Sequence, residues 1–148
     1  IYGPENAWSD GREKAPAAIC RKVAQAKEGD AVEVWGDGLQ TRSFLYIDDC
    51  LDGMRKLMDS DFSGPVNIGS EEMISINDFT RLIIDLSGKK VGIRNITGPT
   101  GVRGRNSDNR EARAHLGWEP QVSLAVGIAR TYGWIAEQVS ETVGRKKI

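Results

Sequence analysis

This sequence predicts an α/β domain, on three observations. Short runs rich in β-branched and aromatic residues alternate with longer amphipathic stretches, the order expected of stacked sheet and helix layers. Glycine or Gly-Pro signals close most of these runs, at Gly29, Gly36, Gly38, Gly64-Pro65, Gly88 and Gly117. The length, 148 residues, suits one compact unit, since chains of this size bury about 68 to 70% of their unfolded surface.

Taken in order, the chain opens on Ile1 to Pro4, IYGP, with no Met and an immediate Gly-Pro turn, so it is expected to be a piece of a longer protein. Asn6 to Arg12 reads as a polar loop. A helix is predicted to begin around Lys14: Pro16 is tolerated in a first turn, and Ala15, Ile19, Val23 and Ala26 recur at helical spacing until Gly29. Val32 and Val34 alternate with Glu33 as a short strand. Gly36-Asp37-Gly38 is a tight-turn signal, and Ser43 to Ile47 is aromatic and aliphatic enough for a buried strand. The segment therefore reads as strand, hairpin turn, strand and helix start, with Asp48 or Asp49 at the N-cap.

From Asp49 to Asp59 the apolar residues Cys50, Leu51, Met54, Leu57 and Met58 share one helical face. Val66 to Gly69 predicts a short strand, and Ser75 or Asn77 caps a helix whose stripe is Ile76, Phe79, Leu82, Ile83 and Leu86. Gly88 ends it, and Val91, Ile93 and Ile96 suggest another strand. Gly98 to Asn109 is too rich in Gly, Pro and polar residues for regular structure. Asp108 caps a short helix to Leu116, and Ser123 caps a last helix through Val139. Domain organisation is read as residues 1–140 in one domain and 141–148 as a basic, frayed tail.

Charge is nearly balanced, 20 Lys plus Arg against 21 Asp plus Glu with pI about 5.9, so no global field recruits nucleic acid or an anionic membrane. Cys20 and Cys50 match no zinc spacing and read as reduced thiols. No apolar run is long enough for a membrane span, and the expectation is a soluble, cytoplasmic chain.

The glycines at 98, 101 and 104 do not form a dinucleotide-binding fingerprint, and no Tyr is followed four residues later by Lys. His115, the single histidine, has no partner with which to make a metal site. What remains is a set of cations at loops and element ends: Lys14, Lys22, Arg42 and Arg105, with Arg103 less certain. A guanidinium grips phosphate oxygens bidentately, and two on different loops can clamp a pyrophosphate. The alternative for Arg42 is a surface charge, solvated or paired with Asp37. Lys14, just before a helix N-terminus, is of a type that serves as general acid or base, or else a solvated loop lysine.

Several of these segments together form a recognisable pattern. IYGP, GREKAPAA (Gly11 to Ala18), WGDGLQTRSF (Trp35 to Phe44) with YIDD, VNIGS (Val66 to Ser70), GPTGVRGRNSDN (Gly98 to Asn109) and LGWEP (Leu116 to Pro120) resemble the C-terminal portion of extended short-chain dehydrogenase/reductases acting on nucleotide sugars. The resemblance implies the substrate-binding part of such an enzyme, with the Rossmann dinucleotide-binding half largely absent. Within that superfamily the GREKAPAA and GVRGRNSDN runs are most similar to an epimerase branch acting on a GDP-linked sugar. It implies that Lys14 is one member of an acid/base pair whose cysteine partner lies outside this chain. Glu13 and Ala15 would line the substrate site, and Lys22 would contact the nucleotide sugar. Gln40, Thr41, Arg42 and Arg105 would hold the GDP diphosphate. NAD, bound by the missing half, would transiently oxidise the sugar C4, and the complete protein would be a homodimer. Alone, the chain is expected to be inactive and to leave apolar surface uncovered. A related dehydratase or 4-epimerase, or a non-catalytic scaffold, are the competing readings.

Overall fold

Ten elements follow the predicted alternation: α1 (Ala15–Gln25), β1 (Ala31–Trp35), β2 (Thr41–Ser43), α2 (Ile47–Met58), β3 (Met73–Ser75), α3 (Ile76–Ser87), β4 (Gly92–Ile96), β5 (Gly104–Arg105), α4 (Arg110–Leu116) and α5 (Leu124–Arg145). They are seen in a computed structural model that describes residues 1–99 and 101–145. The local signals explain most boundaries. Pro16 sits in the first turn of α1, where its missing N–H leaves no bond unmade. Ser75 caps α3, its hydroxyl accepting from the Asp78 N–H at 3.0 Å. Gly88 closes α3 in the left-handed conformation that favours glycine.

Strand pairing departs from the predicted hairpin. β1 pairs with β4, parallel, from Ala31 opposite Gly92 to Trp35 opposite Ile96. β2 lies in a second sheet of order β3-β2-β5, antiparallel to β3 and parallel to β5. The Gly36-Asp37-Gly38 turn thus hands the chain from one sheet to the other, because each flanking strand finds its partner far along the sequence. Gly38 is held at φ +69°, and a side chain there would collide with Asn77, whose amide donates to the Asp37 carbonyl at 3.0 Å.

Other boundaries are corrected as well. Val66 to Gly69 forms no ladder with any described residue; Val66 and Ile68 pack instead beside Leu45, Cys50, Ala112 and Trp118. Tyr46, not Asp48 or Asp49, is the N-cap of α2. Asp49 is buried in the first turn, and its carboxylate accepts the backbone N–H groups of Gln121 (3.0 Å) and Val122 (2.9 Å). Within the loop expected to be irregular, Gly104 and Arg105 form a two-residue strand. α5 continues to Arg145, into the stretch expected as a tail; residues 146–148 lie outside the described residues.

The main core is formed where α1, α3 and α5 pack together, with Cys20, Val23, Phe79, Ile83, Ile128 and Ile135 almost wholly removed from water. Burial of this apolar surface is what holds the helical layer, and no helix of the described residues is long and apolar enough to cross a membrane. On α2 only Cys50 of the predicted apolar stripe is buried, whereas Leu51, Met54 and Met58 are exposed. This helix therefore carries uncovered apolar surface.

Candidate functional site

Where α1 faces β1 and the start of β2, the surface sinks into a cavity of about 420 Å³. α1 lines it with Ala15, Ala18, Ile19 and Lys22. These positions recur at intervals of three and four, so one helical face looks onto the cavity. Glu33, Val34 and Trp35 of β1 form another wall, Gln40 and Arg42 a third. Gly11 and Glu13 come from the loop ahead of α1, with Ile76 and Pro99 completing the lining.

Five of the eight residues that sequence reasoning assigned to a site meet here: Glu13, Ala15, Lys22, Gln40 and Arg42. Thr41 falls between Gln40 and Arg42 and is not part of the lining. Lys14 lies between two lining residues, as the exposed N-cap residue of α1, but does not itself line the cavity. Arg105 is also outside the lining, yet it is the parallel cross-strand partner of Arg42. Partnered residues of a ladder project to the same face, so two guanidinium groups that are 63 positions apart in the chain share one side of the β2–β5 ladder.

The ion pairs separate structural cations from available ones. Arg103 bonds Asp37 at 2.6 Å, tying the 98–109 loop to the turn after β1, and this guanidinium holds the Asp37 carboxyl below the usual range. That contact is the surface pairing expected for Arg42, made by a different arginine. Arg42 donates to the Thr41 carbonyl at 2.7 Å, and neither Arg42 nor Arg105 meets a carboxylate among the described residues. Lys22 donates from Nζ to the Glu33 carbonyl at 2.8 Å, which fixes its head at the cavity wall. Glu13 accepts from the Gly11 N–H and from Arg21, each at 2.7 Å. Hydrogen bonds from its own backbone N–H and from Arg21 hold its carboxyl below the usual range. Arg12 is paired with Asp10. The Lys14 ammonium has no hydrogen bond or ion pair among the described residues.

Gln40 carries a particular signal. Its side chain is only 6% exposed, and its amide nitrogen donates to the Trp35 carbonyl at 3.2 Å. A carbonyl can only accept, so the amide oxygen is the free end, and Oε1 is buried without a partner. A buried acceptor left unmatched costs roughly 1–3 kcal/mol. Sequence reasoning missed Ile19, Val34, Ile76 and Pro99, whose apolar character gives no local hint of a site. Trp35 could have been found, because in an alternating strand the odd positions face away from the core.

Comparison with known proteins sets this geometry in context. Residues 1–69 match the NAD dependent epimerase/dehydratase family. The chain is 52% identical to GDP-mannose 3,5-epimerase of Arabidopsis thaliana over 95% of its own length and 37% of that protein's. It is 35% identical to UDP-glucuronic acid decarboxylase 5 of the same plant, over 86% of this chain and 36% of that one. Among solved structures, UDP-glucose 4-epimerase of Thermotoga maritima, crystallised with UDP-glucose, superposes with a TM-score of 0.84 at 26% identity, over 93% of this chain and 44% of that one. UDP-glucuronic acid 4-epimerase of Bacillus cereus, in complex with UDP-glucuronic acid and NAD, gives a TM-score of 0.80 at 28% identity, over 93% and 43% of the two chains. The chain thus spans a little over a third of the length of the curated relatives it matches.

Proposed function

We propose, from the match of residues 1–69 to the NAD dependent epimerase/dehydratase family and the 52% identity to a GDP-mannose 3,5-epimerase, that this chain supplies the substrate-binding part of such an epimerase. The complete protein would convert GDP-mannose to GDP-L-galactose and GDP-L-gulose. The observation that carries this reading is the pairing of Arg42 with Arg105 on adjacent strands with no carboxylate partner among the described residues. Like charges set side by side are unfavourable on their own, and a diphosphate between them reverses the sign. In this reading the two arginines grip the diphosphate, with Thr41 beside Arg42 on β2. Gln40 lines the cavity beside Arg42. Glu13, Ala15 and Lys22 border the nucleotide sugar, and Lys14 moves a proton at a ring carbon.

NAD, when bound, supplies the oxidation and re-reduction of the sugar. These 148 residues contain neither a glycine-rich dinucleotide loop nor a Tyr-x-x-x-Lys pair, so they do not fit the cofactor, which is assigned to the rest of the protein. By itself the 148-residue chain is accordingly expected to turn over no nucleotide sugar, and product formed from GDP-mannose by the purified chain would refute this. A cytoplasmic setting is supported by two buried free thiols, of which burial pushes Cys20 up to about 12. A homodimeric state of the complete protein rests on family likeness alone.

The test is calorimetric titration of GDP into the full-length protein. Arg42→Ala is expected to weaken binding about 10- to 100-fold, the loss of charge-assisted hydrogen bonds, and Arg105→Ala to weaken it in the same direction. Unchanged GDP affinity in both variants, with the circular dichroism spectrum intact, would overturn the reading.

A further inference from the structure

We infer that Arg21 is a positioning residue: through Glu13 it fixes the main chain that aims Lys14 at the sugar, without lining the cavity itself. The inference rests on the nucleotide-sugar reading above and on the proton-transfer role proposed there for Lys14. Arg21 lies on α1, one position before Lys22 of the cavity wall, and every nitrogen of its guanidinium is engaged. Nε donates to the Trp8 carbonyl at 3.0 Å, one terminal nitrogen to Glu13 Oε1 at 2.7 Å and the other to Gln25 Oε1 at 3.4 Å.

The pair with Glu13 differs in kind from the other ion pairs of the described residues. Its two side chains are 25% and 10% exposed, whereas both partners of every other pair are exposed to 40% or more. Exposed pairs are screened by water and contribute little, while a planar fork held away from solvent keeps its geometry. What this fork holds is the stretch that leads into Lys14. Trp8 packs against the main core, Ser9 to Arg12 run out into solvent, and Glu13 turns back in, so one guanidinium ties both ends of the excursion to α1.

Glu13 passes the constraint on. Its Oε1 takes the Arg21 bond and its Oε2 accepts the Gly11 N–H at 2.7 Å, so the chain folds around its own carboxylate. Gly11 sits at φ +82°, a conformation that favours glycine. Lys14 follows directly, with no side-chain cap and with its ammonium unpaired among the described residues. Its direction therefore comes from the main chain at 13 and 14, which Arg21 holds. A general acid or base works only within hydrogen-bond reach of the proton it moves, and a displacement of about 1 Å loses most of its effect. The arginines assigned to the diphosphate stand on the β2–β5 ladder, to which Arg21 makes no hydrogen bond among the described residues. Loss of Arg21 should thus separate turnover from nucleotide affinity.

The experiment is a double-mutant cycle in the full-length protein, with Arg21→Ala, Lys14→Ala and the two combined. It reads kcat and KM for GDP-mannose, hydrogen–deuterium exchange at C3 and C5, and GDP affinity by calorimetry. Arg21→Ala is expected to lower kcat and exchange about 10- to 100-fold, to leave GDP affinity as in the parent, and to add nothing to the loss in Lys14→Ala. Arg21→Lys, which reaches Glu13 but cannot also span to Trp8, is expected to restore part of the loss. Exchange at the parent rate in Arg21→Ala, losses that add in the double variant, or GDP affinity falling in step with kcat would each overturn the inference, the last because it marks a general loosening of the fold. A parent that neither binds GDP nor exchanges C3 and C5 would instead refute the nucleotide-sugar reading, and parent-rate exchange in Lys14→Ala would refute that lysine's role; either takes this inference with it. Should Arg21→Ala not fold, the same cycle with Arg21→Lys decides, since its smaller loss must still vanish once Lys14 is gone.

Discussion

Lys14→Ala in the full-length protein is expected to lower kcat by about 10²- to 10⁴-fold with little change in KM, the range for losing a positioned general acid or base. Lys14 is fixed at the backbone as the N-cap residue of α1, with φ −84° and ψ 167°, between Glu13 and Ala15 of the cavity lining. Its neighbours are engaged elsewhere: Arg12 with Asp10, Glu13 with Arg21. The exposed ammonium, unpaired among the described residues, is proposed to reach a ligand seated in the neighbouring cavity. The direct readout is hydrogen–deuterium exchange at C3 and C5 of the sugar, followed by NMR in deuterated water. Exchange at the parent rate in the variant would remove the proton-transfer role and favour a dehydratase or 4-epimerase that keeps the arginine clamp.

The second large effect concerns stability. Phe79→Ala is expected to cost about 3–5 kcal/mol, because the ring is fully buried and truncation leaves a cavity that a packed core closes only in part. At about 2–4 °C per kcal/mol for a chain of this size, a thermal melt should fall by roughly 6 to 20 °C. Phe79 stacks at a tilt on Phe44, with centroids 4.7 Å apart, just beyond the end of β2. Its helix, α3, is stitched at the N-terminal end to the cavity wall, since the Ile76 N–H donates to the Gln40 carbonyl at 3.1 Å and the Asn77 N–H to the Gly38 carbonyl at 3.0 Å. The same variant should therefore weaken GDP binding without touching a ligand-facing atom. A melting shift below about 2 °C would mean that the core relaxes around the gap far more than close packing allows.

Much of this was legible before any coordinates. Helix caps and stops at Ser75, Gly88 and Gly117 are decided within a few residues of sequence, and the structure keeps them. Lys22 and Arg42 were singled out by residue type and by family likeness, Gln40 by family likeness alone, and all three line one cavity. The failures share a physical origin, namely partners distant in sequence. A hairpin was expected of β1 and β2 because their turn chemistry is local, whereas the true partners are β4, β3 and β5. Asp49 was assigned to its own helix end, yet the N–H groups it satisfies are more than 70 residues away. Nothing in GVRGRN says that Arg105 will stand opposite Arg42; only the register of a two-residue ladder does.

That ladder also makes the solvent a structural variable. Two guanidinium groups on one rung of adjoining strands repel each other, and the backbone bond from the Thr41 N–H to the Arg103 carbonyl, with the Arg103–Asp37 tether, must resist them. Multivalent anions in a buffer act as mortar between the two strands, while dilute solutions of inert salt leave the repulsion largely unscreened. Preparations kept in phosphate are thus expected to carry a firmer β5 than preparations kept in a low-ionic-strength amine buffer, and the phosphate to compete for the seat proposed for the nucleotide.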